Sequence, residues 1–427
     1  MKVLFCAPSA FAHLNPLVPL AGALQGAGHE VRVATHPEMT DAVRAMGLTA
    51  VAAGEWDFPK ANAHESDELY ERVLELIGDE GRDRAPGRPP SKMVLRGFRR
   101  YYDPDPPGAR GNLLADDLVA IALRWRPDLI VWDSISFPAA LAARVSGAAH
   151  ARVLWSVDDV AWLRAVLDGV TARPGAPSDP MIAHMRPMLE RFGVEFGEDL
   201  LLGQFTIDAY PGVRLRAPSP ELRYVPLRPV PYNGTIAVPD WLDSPGDRPR
   251  VAVSLGAGIR SFFPGGTSKV AAEELFEVTG GLDVEVVATL NEAQLASVER
   301  VPDHVRVVDY LPLNLLMPTC AAIIHHGGGG TFGAAVAHRV PQLVWKERSV
   351  YYDDIARLVE ESGAGLIVDD EPFSADVVRK QLLRITTDPS FAAGAAGLYR
   401  DALAVPAPTE VVPVLERLTE EHREVTR

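Results

Sequence analysis

Residues 321–332 constrain the fold of this chain more than any other stretch. They read AAIIHHGGGGTF: a short apolar run, two histidines, four glycines, a threonine and a phenylalanine. Such an apolar run is typical of a parallel strand buried on both faces, and glycines permit backbone angles closed to other residues. The free N–H groups of a helix that begins near Thr331 would form a site for an anion. The stretch therefore predicts a strand, a glycine turn and a helix start that binds a diphosphate, with His326 as a side-chain donor.

Other interpretations of this stretch remain open. Gly328, Gly330 and Gly333 match the spacing of a dinucleotide-binding fingerprint. That fingerprint belongs in the first βα turn of its unit, and Asp353, about 20 residues further on, lies well beyond the next apolar run. Nicotinamide binding is therefore disfavoured. A plain flexible turn, with the histidine as an ordinary polar residue, is the simpler alternative.

Length and charge limit the class of protein. A chain of 427 residues exceeds what one hydrophobic core usually supports, so two domains are expected. The net charge of −15 argues against non-specific binding to nucleic acid or to an anionic membrane. No apolar run approaches the roughly 18 residues of a membrane span, and the sequence begins directly with a strand pattern. Cys6 and Cys320 lie in apolar surroundings without metal-ligand spacing. These features predict a cytoplasmic protein without a bound metal.

Two polar residues of the first half are expected at one edge of a sheet. A strand over residues 3–7, a helix over 17–25 and a strand over 29–34 form a βαβ unit, which places His13 at the carboxyl edge. Asp133 ends a later apolar run, residues 129–132. If the two strands are neighbours, Asp133 can accept a hydrogen bond from one His13 nitrogen and leave the other as a base. Alternatively, Asp133 caps the following helix and His13 only packs.

Composition divides the chain into segments. Residues 57–111 lose the regular alternation and are interpreted as a binding or lid loop. Residues 218–249 are proline-rich and are expected to be an interdomain linker between domains 1–217 and 250–405. Residues 406–427 form a terminal helix, and whether it crosses back onto the first domain is open. The fold class is α/β, with two doubly wound Rossmann-like domains facing across a cleft.

Six short patterns, in order, resemble a known family. They are His13-x-x-Pro16 and residues 28–31 (GHEV), 127–133 (PDLIVWD), 308–312 (VDYLP), 325–331 (HHGGGGT) and 340–342 (VPQ). Together they are similar to the GT-B glycosyltransferases of antibiotic biosynthesis, and in particular to the actinobacterial group that moves deoxysugars from dTDP donors onto polyketide or macrolide aglycones.

The resemblance implies a function for each domain. The first domain would hold the acceptor, with His13 as general base and Asp133 as its partner. The second would hold the sugar nucleotide through a set of residues for the base and diphosphate: Ser254, Gly256, Tyr310, Leu311, His326, Gly327, Gly328, Gly330 and Thr331. The family reaction inverts the anomeric carbon and uses no metal or other cofactor, since the dTDP-sugar is a cosubstrate.

The chain departs from the family where the donor sugar is bound. Lys346 stands in place of a proline, and Val350-Tyr351 falls where an Asp-Gln pair is usual. A deoxysugar or aminosugar has fewer hydroxyls for such a carboxylate, or else Asp353 or the adjacent Asp354 has taken its role. The donor-sugar candidates are Lys346, Val350, Tyr351 and Asp353. Candidates for the acceptor wall are aromatic: Phe11, Trp56, Phe58, Phe98 and Tyr101, unless these rings only pin a loop.

Two rival functions and some partners stay open. The chain could be a sugar-nucleotide epimerase of the same architecture, or a catalytically silent protein that binds a nucleotide or small molecule. The expected partners are a small-molecule aglycone and a dTDP-sugar, with no nucleic acid and no membrane. The sequence leaves open a homodimer and an activating auxiliary protein.

Overall fold

Two parallel β-sheets organise the chain, one in each of two units. The first unit comprises Met1–Leu227 with Pro406–Arg427, and the second comprises Arg228–Val405. The computed structural model describes residues 1–54, 67–83, 92–102, 113–154, 157–210, 222–244, 247–256, 272–296, 298–345, 353–368 and 373–423. Among these residues, no helix combines the length and apolar character needed to cross a membrane.

Seven parallel strands form the sheet of the first unit within the described residues. They are β1 (Lys2–Cys6), β2 (Glu30–Thr35), β3 (Thr49–Ala52), β4 (Leu129–Asp133), β5 (Ala149–Leu154), β6 (Phe205–Asp208) and β7 (Tyr224–Pro226). Their order is β3-β2-β1-β4-β5-β6-β7. The order reverses between β1 and β4, which is where open α/β sheets bind their ligands.

Helices cover this sheet. They are α1 (Phe11–Leu14), α2 (Val18–Gly26), α3 (Thr40–Ala45), α4 (Glu68–Asp83), α5 (Lys92–Tyr102), α6 (Leu113–Trp125), α7 (Pro138–Ser146), α8 (Asp159–Thr171), α9 (Pro180–Phe192) and α10 (Asp199–Leu202). Every residue of β4 and β5 is buried, as expected for central strands with helices on both faces.

The second unit repeats this plan with six strands in its described part. Its elements are β8 (Arg250–Ser254), α11 (Ala272–Thr279), β9 (Glu285–Thr289), β10 (Val305–Val308), α12 (Leu313–Leu316), β11 (Cys320–His325), α13 (Gly329–Ala337), β12 (Gln342–Trp345), α14 (Asp353–Glu361), β13 (Gly365–Val368), α15 (Ala375–Thr387) and α16 (Pro389–Leu403). The sheet order is β10-β9-β8-β11-β12-β13. Here the order reverses between β8 and β11.

The terminal helix, α17 (Pro408–His422), returns to the first unit. It packs on α2 and β5 and buries Val411, Val412, Leu415 and Leu418. The sequence left this placement open.

The prediction that residues 218–249 form a linker needs correction, because some of its described residues belong to the two units. Residues 224–226 form β7 of the first sheet. Leu242 is buried in the core of the second unit. The expectation of an irregular segment over 57–111 also needs correction, because α5 and α4, which is kinked at Gly78, both lie within it.

Candidate functional site

In the first unit, His13 and Asp133 form a hydrogen-bonded pair. His13 lies on α1, just after β1, and Asp133 is the last residue of β4. The two strands are neighbours, with Cys6 opposite Trp132. Nδ1 of His13 lies 2.8 Å from Oδ2 of Asp133, whose side chain is fully buried. The structure thus brings together the two side chains that the sequence placed at strand ends.

Asp133 does not cap the helix that follows it. Its second oxygen, Oδ1, accepts a hydrogen bond from the backbone N–H of Ile135 at 3.1 Å. The N-cap of α7 is Phe137 instead. The carboxylate is therefore held by a local turn on one side and presented to His13 on the other.

The environment of His13 favours its protonated form. Burial of the ring acts to lower its pKa, but the charge of Asp133 and the hydrogen bond to it together outweigh burial, so the pKa is raised above its ordinary value. Because a carboxylate accepts only, the neutral ring carries its proton on Nδ1 and directs the Nε2 lone pair elsewhere. His13 is 16 % exposed.

In the second unit, residues 320–337 form the expected strand, glycine turn and helix. β11 ends at His325 and α13 begins at Gly329. Gly327 has a φ of +95°, a left-handed angle that favours glycine. Its N–H donates to Nδ1 of His325 at 3.1 Å, and Nε2 of His325 lies 3.0 Å from Oε1 of Gln342.

The ring of His326 lies between two glycines. A Cβ on Gly256 would come within 2.3 Å of Cε1 of His326, and a Cβ on Gly328 within 2.4 Å of its Nε2. Any larger residue at either position would collide with the ring. Burial lowers the pKa of His326 to about 4, although a hydrogen bond to the Ser254 backbone opposes the shift. With its pKa at about 4, His326 is neutral near pH 7.

The other predicted nucleotide residues differ in exposure. Ser254 ends β8 opposite His325 and is buried, as are Leu311 and Thr331. Tyr310 is 47 % exposed, and its hydroxyl donates to the backbone carbonyl of Asn233. At Gly330, no described heavy atom outside its two chain neighbours and its own helix backbone lies within 4 Å of the place a Cβ would take. No other described residue therefore covers the backbone at this position.

The predicted wall and donor-sugar residues are only partly located. Trp56, Phe58, Lys346, Val350 and Tyr351 lie outside the described residues. Asp353 is the first residue of α14. Phe11 neighbours His13 on α1 and is 42 % exposed.

The prediction that Phe98 lines an acceptor wall is wrong. Its side chain is 0 % exposed and packs in an aromatic cluster, 4.9 Å from the ring of Tyr102 and 5.1 Å from that of Phe137. A ring enclosed on all sides stabilises the core instead of contacting a ligand. Tyr101 is also buried, at 4 % exposure, and its role stays a prediction.

Sequence reasoning did not assign a role to His325 or to Gln342. Adjacent residues of a strand point to opposite faces, so a histidine pair at a strand end indicates two different roles. The Gln342 amide, 0 % exposed, is the partner that this signal alone could not identify. Among the described residues, no group of three or more His, Cys, Asp or Glu side chains is arranged as a metal site.

Two family models match the chain. The erythromycin biosynthesis protein CIII-like N-terminal domain matches residues 22–256, and the corresponding C-terminal domain matches residues 273–418. The chain is 42 % identical to aclacinomycin-T 2-deoxy-L-fucose transferase of Streptomyces galilaeus, over 99 % of this chain and 97 % of that protein. It is 38 % identical to 10-deoxymethynolide desosaminyltransferase of Streptomyces venezuelae, over 99 % and 98 %.

Two solved glycosyltransferase structures are also similar to this chain over nearly its whole length. Spinosyn forosaminyltransferase SpnP is 35 % identical with a TM-score of 0.80, covering 98 % of this chain and 99 % of that one. The glycosyltransferase VinC, solved in complex with dTDP, is 32 % identical with a TM-score of 0.81, covering 99 % and 100 %. The chain belongs to the erythromycin biosynthesis protein CIII-like family and is a glycosyltransferase with the GT-B fold.

Proposed function

We propose that this enzyme transfers a deoxysugar or aminosugar from a dTDP-sugar to a hydroxyl of a polyketide or macrolide-type aglycone in the cytoplasm, with inversion at the anomeric carbon and without a metal. One observation supports the proposal: in each sheet, residues of the kind that group transfer needs lie at that sheet's own reversal of strand order. The first has a base with a buried carboxylate partner, and the second a glycine-lined helix start. The relatives named above are transferases of such sugars.

His13 acts as the general base in this proposal. Nδ1 keeps its proton, held by Asp133 at 2.8 Å. Nε2 takes the proton of the acceptor hydroxyl while the hydroxyl oxygen bonds to the anomeric carbon, and the bond from that carbon to the diphosphate oxygen breaks. The His13 ring then becomes an imidazolium, which the buried Asp133 stabilises. Attack from the face opposite the leaving group gives inversion.

The start of α13 receives the leaving diphosphate. Free N–H groups at a helix start and the partial positive charge there favour an anion, and preorganised donors of this kind usually contribute most to lowering a barrier. These groups supply positive potential without a metal, and His326 adds to it only when its ring is protonated. Ser254, Gly256 and residues 327–331 shape this part of the site, with Tyr310 and Leu311 beside the base of the nucleotide.

His326 can donate a hydrogen bond to the diphosphate only when its ring is protonated. The neutral ring has one N–H, and we assign it to the Ser254 backbone, the hydrogen-bond partner that raises the pKa of the ring. A second bond, to the diphosphate, therefore requires protonation of the ring, and the negative charge of the ligand favours that protonation. The backbone N–H groups carry the contact in either protonation state.

The sugar and acceptor contacts follow from the departure at residues 346–351. We assign the sugar to Lys346, Val350, Tyr351 and Asp353, a set with fewer acceptors for hydroxyls and therefore suited to a deoxygenated sugar. Phe11, exposed beside His13, offers an aromatic contact to a lipophilic aglycone.

Replacement of Gly330 by alanine tests the diphosphate site. No described atom opposes the added methyl group, and alanine in a helix is favoured over glycine by about 0.5–1 kcal/mol, so Gly330→Ala should keep or raise the melting temperature. The methyl group would obstruct a diphosphate lying on the backbone, so affinity for dTDP should fall roughly tenfold or more, a change of at least about 1.4 kcal/mol. Calorimetry with dTDP measures this.

The matched control is Gly22→Ala on α2, where an added Cβ also meets no described atom. It should keep the affinity of the parent enzyme. Unchanged dTDP binding in Gly330→Ala would count against the site.

Transfer from dTDP-sugars to polyketide aglycones, assayed on the full chain, tests the reaction itself.

A further inference from the structure

We propose that His325 and Gln342 are positioning residues for the glycine turn: a buried, neutral imidazole fixed by the glutamine amide holds the Gly327 backbone in the shape that receives the diphosphate. The inference rests on the proposed function, in which that turn binds the diphosphate. Neither side chain would touch the ligand.

The hydrogen bonds determine the tautomer of His325. The N–H of Gly327 can only donate, and it points to Nδ1 of His325 at 3.1 Å. Nδ1 must therefore carry a lone pair, and the single ring proton must be on Nε2. Nε2 lies 3.0 Å from Oε1 of Gln342, so the amide oxygen accepts that proton.

His325 must stay neutral for this arrangement to hold. A proton on Nδ1 would set two donors against each other at 3.1 Å. Burial first, then the nearby His326, lowers the pKa of His325 to about 3, against an opposing effect of the Gln342 hydrogen bond. Gly327 is itself buried, so its N–H has few alternatives to this acceptor.

Gln342 is placed to fix the ring because its own backbone is locked. It opens β12 opposite Ile323, which lies on the same face of β11 as His325 two residues later. Its N–H donates to the carbonyl of Ala364. A Cβ on Gly365 would lie 1.8 Å from the carbonyl oxygen of Gln342, so β13 packs directly against this residue.

The two histidines therefore have different contacts and different roles. His325 faces into the protein and bonds to the residue that reverses the chain, whereas His326 packs between Gly256 and Gly328. Gly327, with φ of +95°, follows His326 in the chain and donates its N–H to the ring of His325. A change in the ring of His325 would therefore move the N–H groups at the start of α13.

Two substitutions of His325 separate positioning from packing. In His325→Asn, the amide oxygen can take the place of Nδ1 and accept from Gly327, while the contact with Gln342 is lost. In His325→Gln, the longer side chain reaches toward Gln342 but leaves no acceptor at the Nδ1 position. We expect the Asn variant to bind dTDP within about threefold of the parent enzyme and the Gln variant roughly tenfold or more weakly, the size of one lost buried hydrogen bond.

A purely structural role predicts the opposite order, because glutamine fills more of the volume of histidine than asparagine does. Equal affinities in both variants, or weaker binding by the Asn variant, would overturn the proposal. The measurement is calorimetric titration of the full chain with dTDP, together with the melting temperature of each variant.

Nitrogen NMR of the imidazole rings tests the proposal in the unsubstituted enzyme, even where a variant fails to fold. His325 should show a lone pair on Nδ1 and a proton on Nε2, and Gln342→Leu should abolish this fixed tautomer and weaken dTDP binding. A His325 ring protonated on Nδ1, or a tautomer and affinity unaffected by Gln342→Leu, would contradict it. An enzyme that binds no dTDP would refute the proposed function, while the ring tautomer would still decide the positioning role.

Discussion

Three histidines show how single residues acquire different charge states in one chain. Burial alone lowers a histidine pKa, and it dominates at His325 and His326, which are neutral near pH 7. At His13 the carboxylate of Asp133 reverses the outcome and raises the pKa. The difference suits the proposed roles, because a base must bind a proton readily, whereas the glycine turn needs a ring that keeps its lone pair.

The raised pKa of His13 leads to a prediction about the pH dependence of catalysis. A general base works only when neutral, so kcat/KM should fall as the pH drops through the pKa of His13, above the ordinary histidine value. In Asp133→Asn the raising effect is removed and burial continues to lower the pKa, so this acid limb should move to lower pH. The rate at its plateau should also fall, because an amide stabilises the imidazolium formed in the reaction less than a carboxylate does.

Initial rates of both enzymes across the acid range, with a saturating donor, measure this effect. His13→Ala should lose most turnover and bind dTDP unchanged. An acid limb at the same pH in Asp133→Asn would show that Asp133 does not set the protonation of the base.

At the scale of elements, one helix carries a contrast between two glycines. On α16, an added Cβ at Gly394 would lie 2.2 Å from the carbonyl oxygen of Gly363, just before β13. At Gly397, three residues further on, it would meet only a terminal atom of Arg400 at 3.8 Å. Because α16 also packs on α13, this close approach supports the helix that begins with the glycine turn.

We therefore predict opposite effects for the same substitution. Gly394→Ala should destabilise the enzyme by about 1–3 kcal/mol, the cost of overpacking a closely packed region. Gly397→Ala should be neutral or stabilising by up to about 1 kcal/mol, since alanine favours the helix. Urea unfolding of both variants gives the two free energies. Similar values would mean that α16 can shift away from residue 363 at little cost.

The elements also show what the sequence can reveal. β1, β4 and β11 were predictable because buried parallel strands are continuous apolar runs. The turn after β11 was predictable because glycine readily adopts the left-handed angle found at Gly327. β7 was missed because a three-residue strand that ends in Pro226 has no pattern of its own. The pairing of His13 with Asp133 depended on β1 and β4 being neighbours, and strand order follows from tertiary packing instead of local sequence.

At the scale of the whole molecule, the last helix belongs to the unit that begins the chain. α17 packs on α2 and β5, and Nε2 of His29 lies 3.0 Å from Oε1 of Glu416. The sequence predicted a terminal helix, but not which of the two sheets it would cover. That choice requires knowing which sheet leaves an apolar surface to be buried.

The final prediction concerns this return of the chain. Leu415 and Leu418 of α17 are both 0 % exposed, and each change from leucine to alanine in a core costs about 2–5 kcal/mol. The double variant Leu415→Ala/Leu418→Ala should therefore lose much of the stability of the first unit, since folded domains are stable by only about 5–15 kcal/mol in total. Hydrogen exchange should locate the loss: amides of β5 should exchange faster, while amides of β8 keep their protection.

Glu416→Gln, which removes only a partly exposed ion pair worth less than about 1 kcal/mol, is the control and should leave both strands protected. Equal loss of protection in β5 and β8 would mean that the two units unfold as one, and α17 would then stabilise the whole chain instead of its first unit.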